Sequence, residues 1–522
     1  MNRENQKGKK SNRLKIFFSI IVPVSCAVLF MVLCMVGLKN SIWFDESYSA
    51  YLIRGNFGDI WSLTASDVHP PFYYFCLKIW SLIFGYSDVA LRFMSVFFGA
   101  LTIIILFYLL RRWFGLKIAS VATFFLTLSP MFVRYGQEMR MYMLVFFIVA
   151  LATYVLDIAL ETKKTRYYIL YAILISLGMW THYFTAIAWL AHIIYYMAAR
   201  RAKIWDKKFL LTYALAVLLY IPWIPSFLAQ TNSVQSGFWI PELSFGTVAS
   251  YISEALIFKD ASAAKNWLVV LLLATILAVI FAGAKVYRLF KAKEKQSFLL
   301  LASLVFIPPI ILMLLSVPPF KPIFVSRYVT YAAALLWALI GTIVAKFVCQ
   351  NHQKNLAEHS KQKSIHATVL VRLALSAALV LLTISTAILG VINVETRETE
   401  SYVKQAVLAI DAISESGTPI IPADEWVYYD AVFYSNDKTP VYGLDALVNT
   451  PYDSFLPIER YNYNMVENDA EFLKGQDKIW YLVKTSEVPE NTTDYEFPDV
   501  LKDYHIVSDF SDKYLTAFEL SK

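Results

Sequence analysis

Residues 13–48 read RLKIFFSIIVPVSCAVLFMVLCMVGLKNSIWFDESY, and this stretch decides the fold. Arg13 and Lys15 close a basic amino-terminal tail, and everything from Ile16 to Leu38 is apolar or small. A helix needs about 20 such residues to cross a hydrocarbon core. A cleaved signal peptide has a shorter apolar region and a small-residue cleavage site. This segment is longer and has no clear site, so it reads as an uncleaved first span. Directly after it comes an acidic pair, Asp45-Glu46, inside Trp43-Phe44-Asp45-Glu46-Ser47-Tyr48. Carboxylates beside a bilayer are costly and are functional candidates by default.

Working outward, the pattern of the first span repeats. The 522 residues are 58% hydrophobic and 17% charged, where a soluble domain carries roughly 25% charged residues. Further apolar segments are expected near 89–110, 118–130, 141–160, 167–181, 183–199, 209–227, 266–284, 298–316, 328–348 and 367–391. The chain is therefore expected to be a polytopic α-helical membrane protein with about 11 transmembrane helices.

The loops sort by charge. Arg111-Arg112 with Lys117, Lys163-Lys164 with Arg166, Arg200-Arg201 with Lys203, Lys207 and Lys208, Lys285 to Lys295, and Lys346 to Lys363 form a basic set. Basic loops belong on the cytoplasmic side, with the tail of residues 1–15. The alternate loops face outward. The expected location is the plasma membrane, multi-pass, with the amino terminus cytoplasmic. Residues 16–391 form the membrane domain, its first outer loop at 39–88 carrying the acidic pair, and 392–522 a soluble extracytoplasmic domain.

The net charge of +7 conceals two halves. Residues 392–522 hold 10 Lys/Arg against 25 Asp/Glu, and the remaining 37 and 15 lie in 1–391. The basic half reports topology, not nucleic acid. Cys26, Cys34, Cys76 and Cys349 have neither metal spacing nor a disulfide framework, so they read as packing residues.

Each unusual polar residue falls on the expected outer face. Phe44, Tyr48, Tyr51 and Leu52 predict an amphipathic helix at 42–53 lying at the interface. Asp45 could cap it and Glu46 favour its first turn, or one carboxylate could act as general base on a hydroxyl. In Asp67-Val68-His69-Pro70-Pro71, Pro70 holds His69 extended and Pro71 suits a helix start. Asp67 and His69 then share a face, as a turn, an acceptor-binding pair or a pair of divalent-metal ligands. Two ligands do not make a metal site, so whether a divalent cation takes part stays open. Arg134, Glu138 and Arg140 lie in an expected loop, as a snorkelling surface anchor, an internal ion pair or an anion site. Arginine presents a planar fork suited to phosphate. Glu138 and His182, the latter in a short turn, are further acceptor or metal candidates. Lys321 and Arg327 add cations near the headgroups. A carboxylate facing several cations at the membrane boundary suits a lipid carrying a phosphate, whose departing charge arginines can neutralise.

The motifs Trp43-Phe44-Asp45-Glu46, Asp67-Val68-His69-Pro70-Pro71, Gln137-Glu138-Met139-Arg140-Met141-Tyr142, Thr181-His182-Tyr183-Phe184 and Ser326-Arg327-Tyr328 together resemble bacterial glycosyltransferase family 39. The resemblance covers roughly 16–391. It implies the GT-C membrane fold and transfer of a sugar from a polyprenyl-phosphate donor, with inversion, to a glycan, lipid or protein acceptor on the outer face. Asp45 matches the family's catalytic base, Glu46 its second acidic residue, and Arg140 lies where donor-phosphate contacts are expected; Arg134, Lys321 and Arg327 are further phosphate candidates. The family's eukaryotic protein mannosyltransferases carry a large luminal domain between spans; here the extra domain is carboxy-terminal. A transporter or flippase of lipid-linked saccharides is the alternative, and would call for charges inside spans and symmetric halves.

In the carboxy-terminal region, helices at 400–414 and Trp426–Tyr434 are expected. Strands are expected at Thr418–Pro422, Pro440–Tyr442, Lys478–Lys484, Tyr504–Asp509 and Tyr514–Leu520. This pattern predicts a small α/β domain, with acceptor docking or covering of the site as its expected role. Asn491-Thr492-Thr493 fits a glycosylation sequon.

Overall fold

The computed structural model describes residues 2–200, 206–236, 240–259, 266–359, 366–396, 402–448 and 464–522. Arg201, Lys203, Lys361 and Lys363 of the basic loops, and positions 400–401 of the expected helix, lie outside the described residues.

A helix stands at every one of the expected spans. Among the described residues, seven are long and apolar enough to cross a membrane: Arg13–Lys39, Asp88–Phe114, Tyr142–Thr162, Lys207–Asn232, Ala292–Leu314, Ser326–Cys349 and Ala377–Glu395. Leu116–Thr127 and Pro130–Gly136 make an eighth if counted as one span bent by 58°. The count of eleven is not reached by length and composition. Of the three that make up the difference, Thr165–Thr181 has 17 residues and Thr185–Arg200 has 16, and the third is Asn266–Arg288, at 23. At 1.5 Å per residue, 17 residues rise about 26 Å, a little under a hydrocarbon core of about 30 Å.

The chain divides into two compact units. The first is Met1–Leu38 with Arg92–Arg397. Its opening helix shows how an apolar sequence chooses a packing face. Cys26, Phe30 and Cys34, spaced by four, are buried, while Phe17, Val24, Val28 and Val32 are exposed. Such exposed aliphatic rows are what lipid covers. The interior of the unit holds residues 330–345 of the helix Thr330–His359, which packs closely on Leu116–Thr127. Gly341 is required there: a Cβ would stand 2.7 Å from the Ala122 Cα and 2.9 Å from the Phe125 ring. Small residues at a crossing let helix backbones approach, the usual means of association in a bilayer. Residues 131–140, expected as a loop, are instead a buried helix, Pro130–Gly136, and a turn. Pro130 at its first position suits a helix start, since no amide hydrogen bond is lost there.

The second unit is Lys39–Leu91 with Glu398–Lys522. The acidic loop thus folds with the carboxy-terminal region. Its strands are β1 (Ile420–Pro422), β2 (Gly443–Leu444), β3 (Met465–Val466), β4 (Lys478–Lys484), β5 (His505–Ser511) and β6 (Leu515–Ser521). The main sheet runs β1-β4-β6-β5, with β1 parallel to β4 and the other pairs antiparallel. In register, Tyr481 faces Ile421 on one side and Phe518 on the other. Ile479, Tyr481 and Val483 share a face with Ile421, Phe518 and Leu520 in the core, while Trp480 and Leu482 of the opposite face are also buried. A strand covered on both faces reads as a continuous apolar run, as Ile479–Val483 does. The strand expected at Pro440–Tyr442 is reduced to one bridge, Ile420 to Val441, followed by the short β2–β3 pair.

Candidate active site

The acidic pair lies in the first turn of the helix Phe44–Leu52, with Trp43 at the cap position. No side chain caps this helix, so the capping role considered for Asp45 is not filled. Both carboxylates lie where the helix dipole favours negative charge. They differ in access: Glu46 is fully buried, whereas Asp45 keeps part of its surface. Asp45 is therefore the more accessible member of the pair. The helix does not lie half-exposed at an interface, because every residue from Glu46 to Leu52 is buried. Its apolar stripe is covered by the helix Glu425–Tyr434 of the same unit. Phe44 packs on Trp426 at 4.3 Å and Tyr429 at 5.0 Å between ring centres.

Asp67 and His69 do share a face, with Asp67 Oδ2 3.1 Å from His69 Nδ1. Asp67 ends the helix Phe57–Ser66, and Pro71 stands just before Phe72–Phe84. The Tyr48 hydroxyl, one turn after Asp45, hydrogen-bonds Asp67. Burial first, and the Asp67 charge second, hold Tyr48 well above the ordinary tyrosine range. The carboxylate thereby connects the histidine to the acidic helix. Among the described residues, no three His, Cys, Asp or Glu side chains group as a metal site. Asp67 and His69 remain a pair of two.

The first unit gathers the cations. Arg134 Nη1 lies 2.6 Å from Glu138 Oε2, with side-chain exposures of only 9% and 1%. This is a buried ion pair, not a surface anchor. Arg140 is also buried, and Ser95 fixes the turn by donating to the carbonyls of Glu138 (2.6 Å) and Arg140 (3.4 Å). Gln137 Nε2 donates to Glu395 Oε1 at 2.8 Å. A row of rings runs from this turn: Tyr135 to Tyr142 (5.0 Å), Tyr142 to His182 (6.3 Å), and His182 to Tyr328 (5.0 Å). The Arg327 guanidinium lies 6.0 Å from the Tyr328 ring centre. Tyr135 feels Glu254, Glu138, Arg134 and Arg327 together. Arg134, Glu138, His182 and Arg327 thus belong to one neighbourhood. Lys321 stands exposed on its loop and makes no ion pair among the described residues.

Three residues of these arrangements escape a sequence reading. Glu254 sits in the apolar helix Phe245–Ile257, and an acid in such a helix is a usable signal. Glu395 is likewise an acid, at the end of the apolar helix His366–Glu395. Asp430, described below, carries no local signal.

Residues 68–225 match the family model described as dolichyl-phosphate-mannose-protein mannosyltransferase. No curated protein matches the chain. Among solved structures, ArnT from Cupriavidus metallidurans bound to undecaprenyl phosphate is similar at 11% identity and a TM-score of 0.59, covering 96% of this chain and 97% of that one. The oligosaccharyltransferase of Archaeoglobus fulgidus, solved with a tethered acceptor peptide, is similar at 14% identity and a TM-score of 0.51, covering 91% of this chain and 70% of that one. The fold is of the GT-C type, and the likeness to glycosyltransferase family 39 drawn from the motifs is borne out.

Proposed function

We propose that this chain is a membrane glycosyltransferase that moves a sugar from a polyprenyl phosphate to an acceptor hydroxyl or amine at the outer face of the plasma membrane. The observation that carries the reading is the set of arginines in the first unit, Arg134 and Arg140 buried and Arg327 half-buried, inside a fold shared with transferases of lipid-linked sugars. The matched segment 68–225 spans His69, Arg134, Arg140 and His182.

The chemistry follows from the groups available. Asp45 takes the proton of the acceptor as its oxygen or nitrogen attacks the anomeric carbon. The bond between that carbon and the phosphate oxygen breaks on the opposite face, so configuration inverts. The departing polyprenyl phosphate gains negative charge, which Arg140 and Arg327 neutralise. Fixed cations in a water-poor site act strongly on such charge and need no reorganisation. Arg134 is held by Glu138 and contributes as part of that pair. Lys321, being exposed, suits lipid headgroups at the rim. Asp67 and His69 orient the acidic helix through Tyr48 and suit acceptor binding.

Purified protein in lipid nanodiscs, given a radiolabelled polyprenyl-phosphate sugar and a crude envelope acceptor fraction, is expected to release free polyprenyl phosphate and label the acceptor. Donor that crosses a sealed vesicle wall without losing its sugar would support a flippase instead.

A further inference from the structure

The carboxy-terminal region carries no catalytic motif, yet it grips the acidic helix along its whole length. Phe44, Ser47 and Tyr51 are spaced i, i+3, i+7 and so form one stripe. Each touches the helix Glu425–Tyr434. Phe44 packs against Trp426 and Tyr429. Ser47 Oγ donates to Asp430 Oδ1 at 2.6 Å. The Tyr51 ring lies 5.2 Å from that of Tyr429, and its hydroxyl donates to the Tyr429 carbonyl. Just before the helix, the Ile42 amide donates to the Tyr434 hydroxyl at 2.9 Å. The Lys404 amide donates to Ser41 at 3.2 Å, and its ammonium pairs with Asp88 at 2.6 Å.

Ser47 and Asp430 are both buried, and their hydrogen bond joins side chain to side chain across the stripe. Asp45 sits one residue off that stripe, about 100° around the helix. Rotation of the helix would therefore turn Asp45 away, and a buried acceptor opposite Ser47 opposes rotation.

We propose that Asp430 is a positioning residue for Asp45: through Ser47 it sets the rotation of the acidic helix, so the carboxy-terminal region is part of the catalytic apparatus. This rests on the transferase reading above. A reacting group misplaced by about 1 Å can lose on the order of 100-fold in rate.

The test uses full-length protein carrying Asp430→Ala, Asp430→Asn, Ser47→Ala, or both Ala changes. Amide hydrogen exchange over residues 43–52 and steady-state transfer kinetics are read together. Asp430→Ala should speed exchange in that segment and lower kcat about 10- to 100-fold, with KM for the donor unchanged. Asp430→Asn keeps an acceptor oxygen and should retain most of the rate. The double variant should be no slower than the worse single one. Tyr51→Phe, which keeps the ring, guards against a misfolded Ala variant and should also speed exchange. Unchanged exchange overturns the proposal, as does faster exchange with an unchanged kcat, or a loss confined to KM. A wild type that transfers no sugar strikes the proposed function, while exchange still decides whether Asp430 holds the helix.

Discussion

Replacing Glu138 by leucine separates a structural role for the arginine turn from a chemical one. Its carboxylate and the Arg134 guanidinium are 2.6 Å apart at their nearest atoms and almost wholly excluded from solvent. With charge centres about 4 Å apart, an effective dielectric of 20 gives an attraction of about 4 kcal/mol. Removing one partner loses that attraction and leaves the other charge buried, which costs about 3–5 kcal/mol in comparable pairs. Replacing both partners by apolar residues removes the stranded charge, and such exchanges are often neutral. Glu138→Leu should therefore destabilise by about 3–5 kcal/mol, and Arg134→Leu/Glu138→Leu by much less than either single change added to the other. The assay is equilibrium unfolding in mixed detergent micelles across the four proteins of the cycle. Single-variant losses below about 1 kcal/mol with additive behaviour would refute the buried-pair reasoning. The folded double variant is then informative about chemistry: retention of donor KM assigns the pair to scaffolding, and a raised donor KM assigns it to phosphate.

Other outcomes follow from single features. Arg140→Ala should raise the donor KM more than the acceptor KM, and equal losses would mark it as structural. Gly341→Val places a Cβ 2.7 Å from the Ala122 Cα, so thermal unfolding should show destabilisation of about 1–3 kcal/mol or more, as overpacking does. Tyr86 is pushed up to about 12, by burial before all else. Its folded value exceeds its unfolded value of about 10, so its contribution is complete below pH 10 and lost as pH rises from 10 to 12. Tyr86→Phe should flatten the stability profile in that window alone, as urea titrations at several pH values would show.

The sequence was most legible where one local rule governs. The spans announced themselves by apolar length, and β4 by a run of Ile, Trp, Tyr, Leu and Val after Gly475 and Asp477. Charge misled at Arg134–Arg140. Three charged residues in ten looked like a loop, but Arg134 and Glu138 satisfy each other one helical turn apart and can be buried. The helix at Phe44–Leu52 had the spacing of an interfacial helix because an apolar stripe does not reveal what covers it. Its cover lies in a helix beginning at Glu425, and no local pattern relates Ser47 to Asp430. Lys321 and Arg327, six residues apart, looked equivalent; only the second comes near the ring of Tyr328.

The most direct test of the account is the rate at which purified Asp45→Asn protein releases polyprenyl phosphate from its sugar-loaded form, compared with wild type at equal donor occupancy. Loss of the general base predicts a fall of about 100- to 10,000-fold with donor affinity retained. An unchanged rate would contradict the assignment of Asp45 and, with it, the proposed mechanism.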